Sequence, residues 1–289
     1  MSRHSLHIEV AGICGRVNLE QAGLASWMES STRRFLSERE PDFIVDVVPA
    51  PLHDISESSL RTAVDEASVN TKVVKEDEVF SVFIELDHNR GTSSPVRIGA
   101  IDGYRNICRL DDYSEDLTRG LINAFFRTCV QFFLGRSKGF LLHAGGLVRQ
   151  GTGYLFAGPS GSGKSTVVGQ SNGMTVLSDD LVCVRNRHDR YYACGTPWHG
   201  EDGNESAEIE KVFFLRQDDE TRFERLSRGR AILETLGNIT TNIFDSELET
   251  AVLDTVCEIT ATIPCYLMHF SLSEPWWEMI ESLDGGDAR

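Results

Sequence analysis

The stretch YLFAGPSGSGKSTVVGQSNGMTVLSDD, Tyr154–Asp180, decides how this sequence is to be read. Gly158-Pro159-Ser160-Gly161-Ser162-Gly163-Lys164-Ser165-Thr166 satisfies the pattern GxxxxGK[ST] of a phosphate-binding loop. An apolar strand, Tyr154–Ala157, precedes it and a helix-compatible run, STVVGQ, follows. Asp179 and Asp180 come only about fifteen residues after Lys164, which leaves room for one helix and one strand. In many loop-type nucleotide hydrolases the acidic strand comes later, after a further strand and helix. The short step predicts a βαβ unit that sets both carboxylates at the carboxyl end of a strand near the loop, where ligands of α/β sheets sit.

The residue types match the chemistry of phosphoryl groups. Glycines let the backbone curl so that N–H groups face phosphate oxygens, and Lys164 reaches the outer phosphates. The Ser165 hydroxyl is the expected magnesium ligand. Of the two aspartates, one can orient the metal while the other takes a proton from an attacking hydroxyl. Upstream, GFLLHAGGLV and GYLFAG read as strands joined by the turn RQGTG, so His143 comes out near the loop-bearing strand. No NKxD-type guanine-reading motif follows, which favours ATP.

Together LLHAGGLVRQGTGYLFAGPSGSGKST and VLSDDLVCVR resemble the catalytic core of the HPr kinase/phosphorylase family. With GTPWHGE, VFFLRQ and the C-terminal tryptophans, the chain resembles more closely the HPr-kinase-related kinases, which include stand-alone bacterial proteins and kinases of peptide precursors. The resemblance implies an α/β fold with a loop-type kinase core of the HPr kinase / phosphoenolpyruvate carboxykinase type, behind an N-terminal α+β region. It implies Lys164 on the phosphates, Ser165 on magnesium, Asp180 as the base for a serine hydroxyl, and Asp179 supporting either that base or the metal. His143 would join the proton-handling set, and Glu201 would be a second metal ligand. Asp202-Gly203-Asn204 replace the arginine-glycine signature of HPr kinases, so neither HPr as substrate nor phosphorylase activity is implied. Arg216 and Arg222 are candidates for transition-state charge.

The remaining sequence sets bounds. Acidic residues outnumber basic ones 44 to 28, a net charge of −16 that argues against nucleic acid or anionic membrane as partner. Seven scattered cysteines without metal spacing fit reduced thiols. No signal-peptide run begins the chain, and LINAFFRTCVQFFL at 121–134 is interrupted by Arg127 and too short to span a bilayer, so a cytoplasmic protein is expected. SLHIEVAGI, FIVDVV, VFSVFIELD, PVRIGAIDG and NICRL read as strands of residues 1–125, and residues 126–289 as the catalytic domain. Ser114 opens a helix whose stripe of Leu117, Leu121, Ala124, Phe125, Thr128, Phe132 and Phe133 should face a core. Ser227 is the expected cap of a later helix, and Trp276 and Trp277 are expected packing anchors.

The expected activity is ATP- and magnesium-dependent transfer of the γ-phosphoryl group to a hydroxyl, of serine above all, on a peptide, protein or small molecule. A nucleotide-binding regulator or scaffold, or an ATPase, is the alternative. A homo-oligomer is compatible with either.

Overall fold

Two sheets organise the chain in a computed structural model that describes residues 3–49, 71–84, 96–112, 115–171, 173–198, 203–240, 245–271 and 276–283. The fold is mixed α/β. Contacts divide it into two units, Met1–Phe140 with Thr241–Leu253, and Leu141–Thr240 with Asp254–Arg289. Among the described residues no helix is long and apolar enough to cross a membrane.

The first unit holds β1 (His4–Val10), β2 (Ile13–Leu19), β3 (Phe43–Pro49), β4 (Thr71–Glu76), β5 (Val79–Ile84), β6 (Val96–Asp102) and β7 (Ile107–Asp112). They form one sheet in the order β1-β2-β3-β7-β6-β5-β4. Helix α1 (Ala22–Ser31) lies between β2 and β3, which pair in parallel as such a crossover requires. The five strands expected from alternation are present; β2 and β4 were not foreseen. Helix α2 (Glu115–Gly135) lays its aromatic rings on the sheet. A Cβ added at Gly99 would stand 2.6 Å from the Phe125 ring, and one at Gly15 would stand 2.8 Å from Phe126, so the bare backbone lets the rings approach. Leu121, Ala124, Phe125, Thr128, Phe132 and Phe133 are buried as the helical stripe predicts. Burial extends to Ile122, Phe126, Cys129, Val130 and Leu134, so from residue 121 this helix is buried nearly all round rather than amphipathic. Ser114 and the Leu117 side chain lie outside the described residues.

The second sheet holds β8 (Gly139–Arg149), β9 (Thr152–Ala157), β10 (Thr175–Ser178), β11 (Leu181–Arg187), β12 (Arg190–Cys194), β13 (Ser206–Gln217), β14 (Arg222–Arg225) and β15 (Cys265–Phe270). Gln150 and Gly151, at φ 52° and 83°, make the two-residue turn that joins β8 to β9. β9 pairs antiparallel with β8 and parallel with β13, which pairs parallel with β15. β10 is also antiparallel to β8. The chain therefore leaves β9, β10, β13 and β15 at the same end of the sheet.

Helix α3 (Lys164–Gly169) follows β9, and α4 (Arg228–Asn238) follows β14. Ser227 occupies the cap position of α4, but its side chain makes no capping hydrogen bond. Two more helices complete the chain: α5 (Ser246–Thr262), whose residues up to Leu253 count with the first unit, and α6 (Trp276–Ser282). Val167 and Val168 of α3 share a core with Phe213, Leu215, Met268, Phe270, Trp276 and Ile280.

Trp276, 3% exposed, also donates Nε1–H to Gln170 Oε1 at 2.8 Å, which ties α6 to the end of α3. Trp276→Phe removes that donor and part of the ring. The expected loss is about 1–2 kcal/mol in chemical denaturation, against under ~0.5 kcal/mol if the contact were idle.

Candidate functional site

Three segments meet where the chain leaves β9 and β10. The Gly158 N–H donates to the His143 carbonyl at 3.3 Å, and the Ala144 N–H donates to the Asp180 carbonyl at 3.0 Å. Strand β8 thus stands between the glycine loop and the aspartate pair and holds both by its backbone. A serine not foreseen from the sequence shapes the pair. Ser178, fully buried, accepts from the N–H groups of Asp180 and Leu181 at 3.4 and 3.2 Å through Oγ. That local turn directs the chain after β10, and its signal is a serine placed just before two aspartates.

The loop itself is held in a curl. Gly161 and Gly163 have φ of 79° and 103°, a region that side-chain-bearing residues rarely enter. The Ser162 N–H donates to the Pro159 carbonyl at 3.1 Å. Lys164 folds back, and Nζ donates to the carbonyls of Gly158 and Pro159 at 2.8 and 3.1 Å. An ammonium has three N–H donors, and these two bonds use two of them.

Lys164 Nζ also lies 3.9 Å from Asp180 Oδ1, and His143 Nδ1 lies 3.4 Å from the same oxygen. Lys164 is 5% exposed. Burial pushes its ammonium below the ordinary lysine range, while the carboxylates of Asp180 and Asp179 pull it back.

Among the described residues, three polar atoms around this point are buried without a hydrogen-bond partner: His143 Nδ1, Ser162 Oγ and Asp179 Oδ1. The approach of His143 to Asp180 is close enough for attraction but is not aligned as a hydrogen bond. Buried polar atoms are ordinarily satisfied, so these three have hydrogen-bonding capacity that the described residues do not use. Pro159, Ser160, Gly161, Ser165 and Thr166 are exposed at the mouth of the loop, with Ser165 and Thr166 on the first turn of α3.

Glu201 and His199 lie outside the described residues. The ends of their segment are fixed beside β10. The Thr196 hydroxyl donates to the Leu181 carbonyl at 2.7 Å, and the Gly195 N–H donates to the Glu205 carbonyl at 3.0 Å. A Cβ at Gly195 would stand 2.0 Å from the Gly203 carbonyl oxygen and 2.8 Å from that of Leu177. Among the described residues no group of three or more His, Cys, Asp or Glu converges to hold a metal ion.

The two arginines considered for transition-state charge are engaged elsewhere. Arg216 NH2 donates to both carboxylate oxygens of Glu234, at 2.9 and 3.0 Å. Arg222 NH2 stands 2.8 Å from Asp218 Oδ2, which also lies 3.0 Å from His269 Nδ1. The Arg222 guanidinium above all holds the Asp218 carboxyl down at about 2. Sequence reasoning missed Gln217 and Phe270, which touch the loop. Gln217 Nε2 donates to the Gly161 carbonyl at 2.9 Å, and the Phe270 ring lies under Gly163.

A family model described as SynChlorMet cassette protein ScmC matches residues 107–283, more than half of the chain. No curated protein matches. Among solved structures the chain is similar to the HPr(Ser) kinase/phosphatase from Coxiella burnetii, at 14% identity over 50% of this chain and 88% of that one, with a TM-score of 0.29.

Proposed function

The chain belongs to the family described as SynChlorMet cassette protein ScmC, and we propose from the geometry of its site that it transfers the γ-phosphoryl group of ATP to a hydroxyl. One observation carries this reading. Three orphaned buried atoms, on His143, Ser162 and Asp179, surround a glycine loop whose lysine gives two of its three N–H donors to the loop's own carbonyls. Two hydroxyl or imidazole groups and an ammonium suit phosphate oxygens, and an unpartnered carboxylate oxygen suits a cation.

In this reading Lys164 holds an oxygen of the outer phosphate, and Ser162 offers its hydroxyl to the same group. Asp180 accepts the proton of the attacking hydroxyl as the acceptor's O–P bond forms. The bond from phosphorus to the β–γ bridging oxygen breaks, and ADP leaves with that electron pair. His143, with Nδ1 3.4 Å from Asp180 Oδ1, joins the groups that handle the proton. The acceptor is a peptide, protein or small molecule with a free hydroxyl, serine being the first candidate.

The donor set also fits magnesium, which keeps several waters and uses one or two carboxylates plus phosphate rather than an all-protein cage. Ser165 and Asp179 would hold it, and when bound it supplies positive charge that offsets the charge spread over the transferred group. Chelating divalent cations is expected to abolish transfer, and magnesium to restore it. Unchanged turnover in excess chelator would contradict that assignment.

The direct test supplies ATP labelled in the γ-phosphate to a panel of hydroxyl-bearing peptides, proteins and small molecules. A labelled acceptor is expected, with Lys164→Ala reducing label about 10²- to 10³-fold, as loss of one preorganised donor does. Label found only as inorganic phosphate would make the protein an ATPase. Tight binding without turnover would make it a regulator.

A further inference from the structure

Gln217, the last residue of β13, reaches the loop from a strand far away in sequence. Its place is well defined. Cross-strand register sets it against Phe270, and the Asp218 N–H donates to the Phe270 carbonyl at 3.1 Å. The next side chain, Asp218, is held by Arg222 and His269. From that fixed point Gln217 donates Nε2–H to the Gly161 carbonyl at 2.9 Å.

Sterics do little to constrain the peptide it holds. Gly161 sits at φ 79°, and among the described residues nothing lies within 4 Å of where its Cβ would be. Glycine enters either sign of φ with similar ease, so sterics alone do not choose which way this carbonyl points. The choice matters for a phosphate loop. A carbonyl oxygen turned inward would face the anion and repel it; turned outward, it leaves the anion to donors. Two hydrogen bonds set the orientation: Gln217 at the carbonyl and the Pro159 carbonyl at the Ser162 N–H.

We propose that Gln217 is a positioning residue that keeps the Gly161 carbonyl turned away from the triphosphate and so sets nucleotide affinity. This inference rests on the nucleotide-binding reading above. It adds a residue that the GxxxxGK[ST] pattern does not contain.

The test compares wild type, Gln217→Leu and Gln217→Glu in full-length protein, using a fluorescent ATP analogue for affinity and initial rates for KM and kcat. Gln217→Leu is expected to weaken binding about three- to tenfold, the worth of one neutral hydrogen bond. KM should rise by the same factor, with kcat at saturation and the thermal midpoint unchanged. Gln217→Glu should lose more, since a carboxylate would oppose both the carbonyl and the triphosphate. Affinity of Gln217→Leu within twofold of wild type would overturn the proposal. So would a loss confined to kcat, or one that tracks a fall in thermal midpoint. Wild type that binds no triphosphate would overturn the underlying reading as well. Wild type that binds, with Gln217→Leu equal to it, would overturn this inference alone.

Discussion

Asp180→Asn is expected to lower phosphoryl transfer about 10²- to 10⁴-fold while leaving ATP affinity within about threefold of wild type. The substitution keeps size and shape but removes the atom that receives a proton. Its Oδ1 stands 3.4 Å from His143 Nδ1 and 3.9 Å from Lys164 Nζ, which places it beside both in the proposed reaction. Neutralising it removes the 3.9 Å ion pair to Lys164 but leaves the lysine its two hydrogen bonds to the Gly158 and Pro159 carbonyls, which keep it in the loop. Binding and transfer should therefore separate. The measurement is label transfer at saturating ATP beside a binding titration. Transfer at the wild-type rate would remove Asp180 from its role, and joint loss of both would assign it to nucleotide binding instead.

Gly163→Ala should destabilise the second unit by about 2–5 kcal/mol in chemical denaturation. Two costs add. A φ of 103° is strained for any residue with a Cβ, at about 1–2 kcal/mol. The new methyl would also stand 2.3 Å from Phe270 Cζ and 2.7 Å from Cε1, an overlap worth about 1–3 kcal/mol. Phe270 is 2% exposed and belongs to the core under α3, so the ring has little room to retreat. Shrinking the ring separates the terms. Gly163→Ala should cost less in a Phe270→Leu background than in wild type, because only the backbone strain remains. A cost below ~0.5 kcal/mol in wild type would show that the loop is not seated on Phe270.

These effects differ in how far the sequence announces them. The glycine loop and Asp179-Asp180 were legible because their signals are local: a fixed spacing of glycines, a lysine, and one helix and strand before the acids. His143 was legible through the RQGTG turn, since a two-residue hairpin fixes the register that brings Ala144 opposite Ala157. Ser178 was missed although its signal is also local.

Gln217 and Phe270 could not be found that way. They reach the loop only because β13 and β15 run parallel to β9, a pairing with no sequence mark. Strand β12 was hidden because its turn uses His188 and Asp189 at φ 53° and 61°, where a glycine would have given warning. Strand β2 was hidden because its burial pattern does not alternate, with Cys14, Gly15 and Val17 all buried. Helix α2 was read as one-sided, and covering its far side requires tertiary packing that no single helix reveals.

The claim beneath all of this is that Lys164, Asp180 and His143 face the terminal phosphate of a bound nucleotide. A crystal structure with a nonhydrolysable ATP analogue and magnesium tests it most directly. A γ-phosphate oxygen is expected about 3 Å from Lys164 Nζ, with the Asp180 carboxylate facing the acceptor side. A triphosphate bound outside the glycine loop, or an Asp180 side chain turned away from it, would contradict the account.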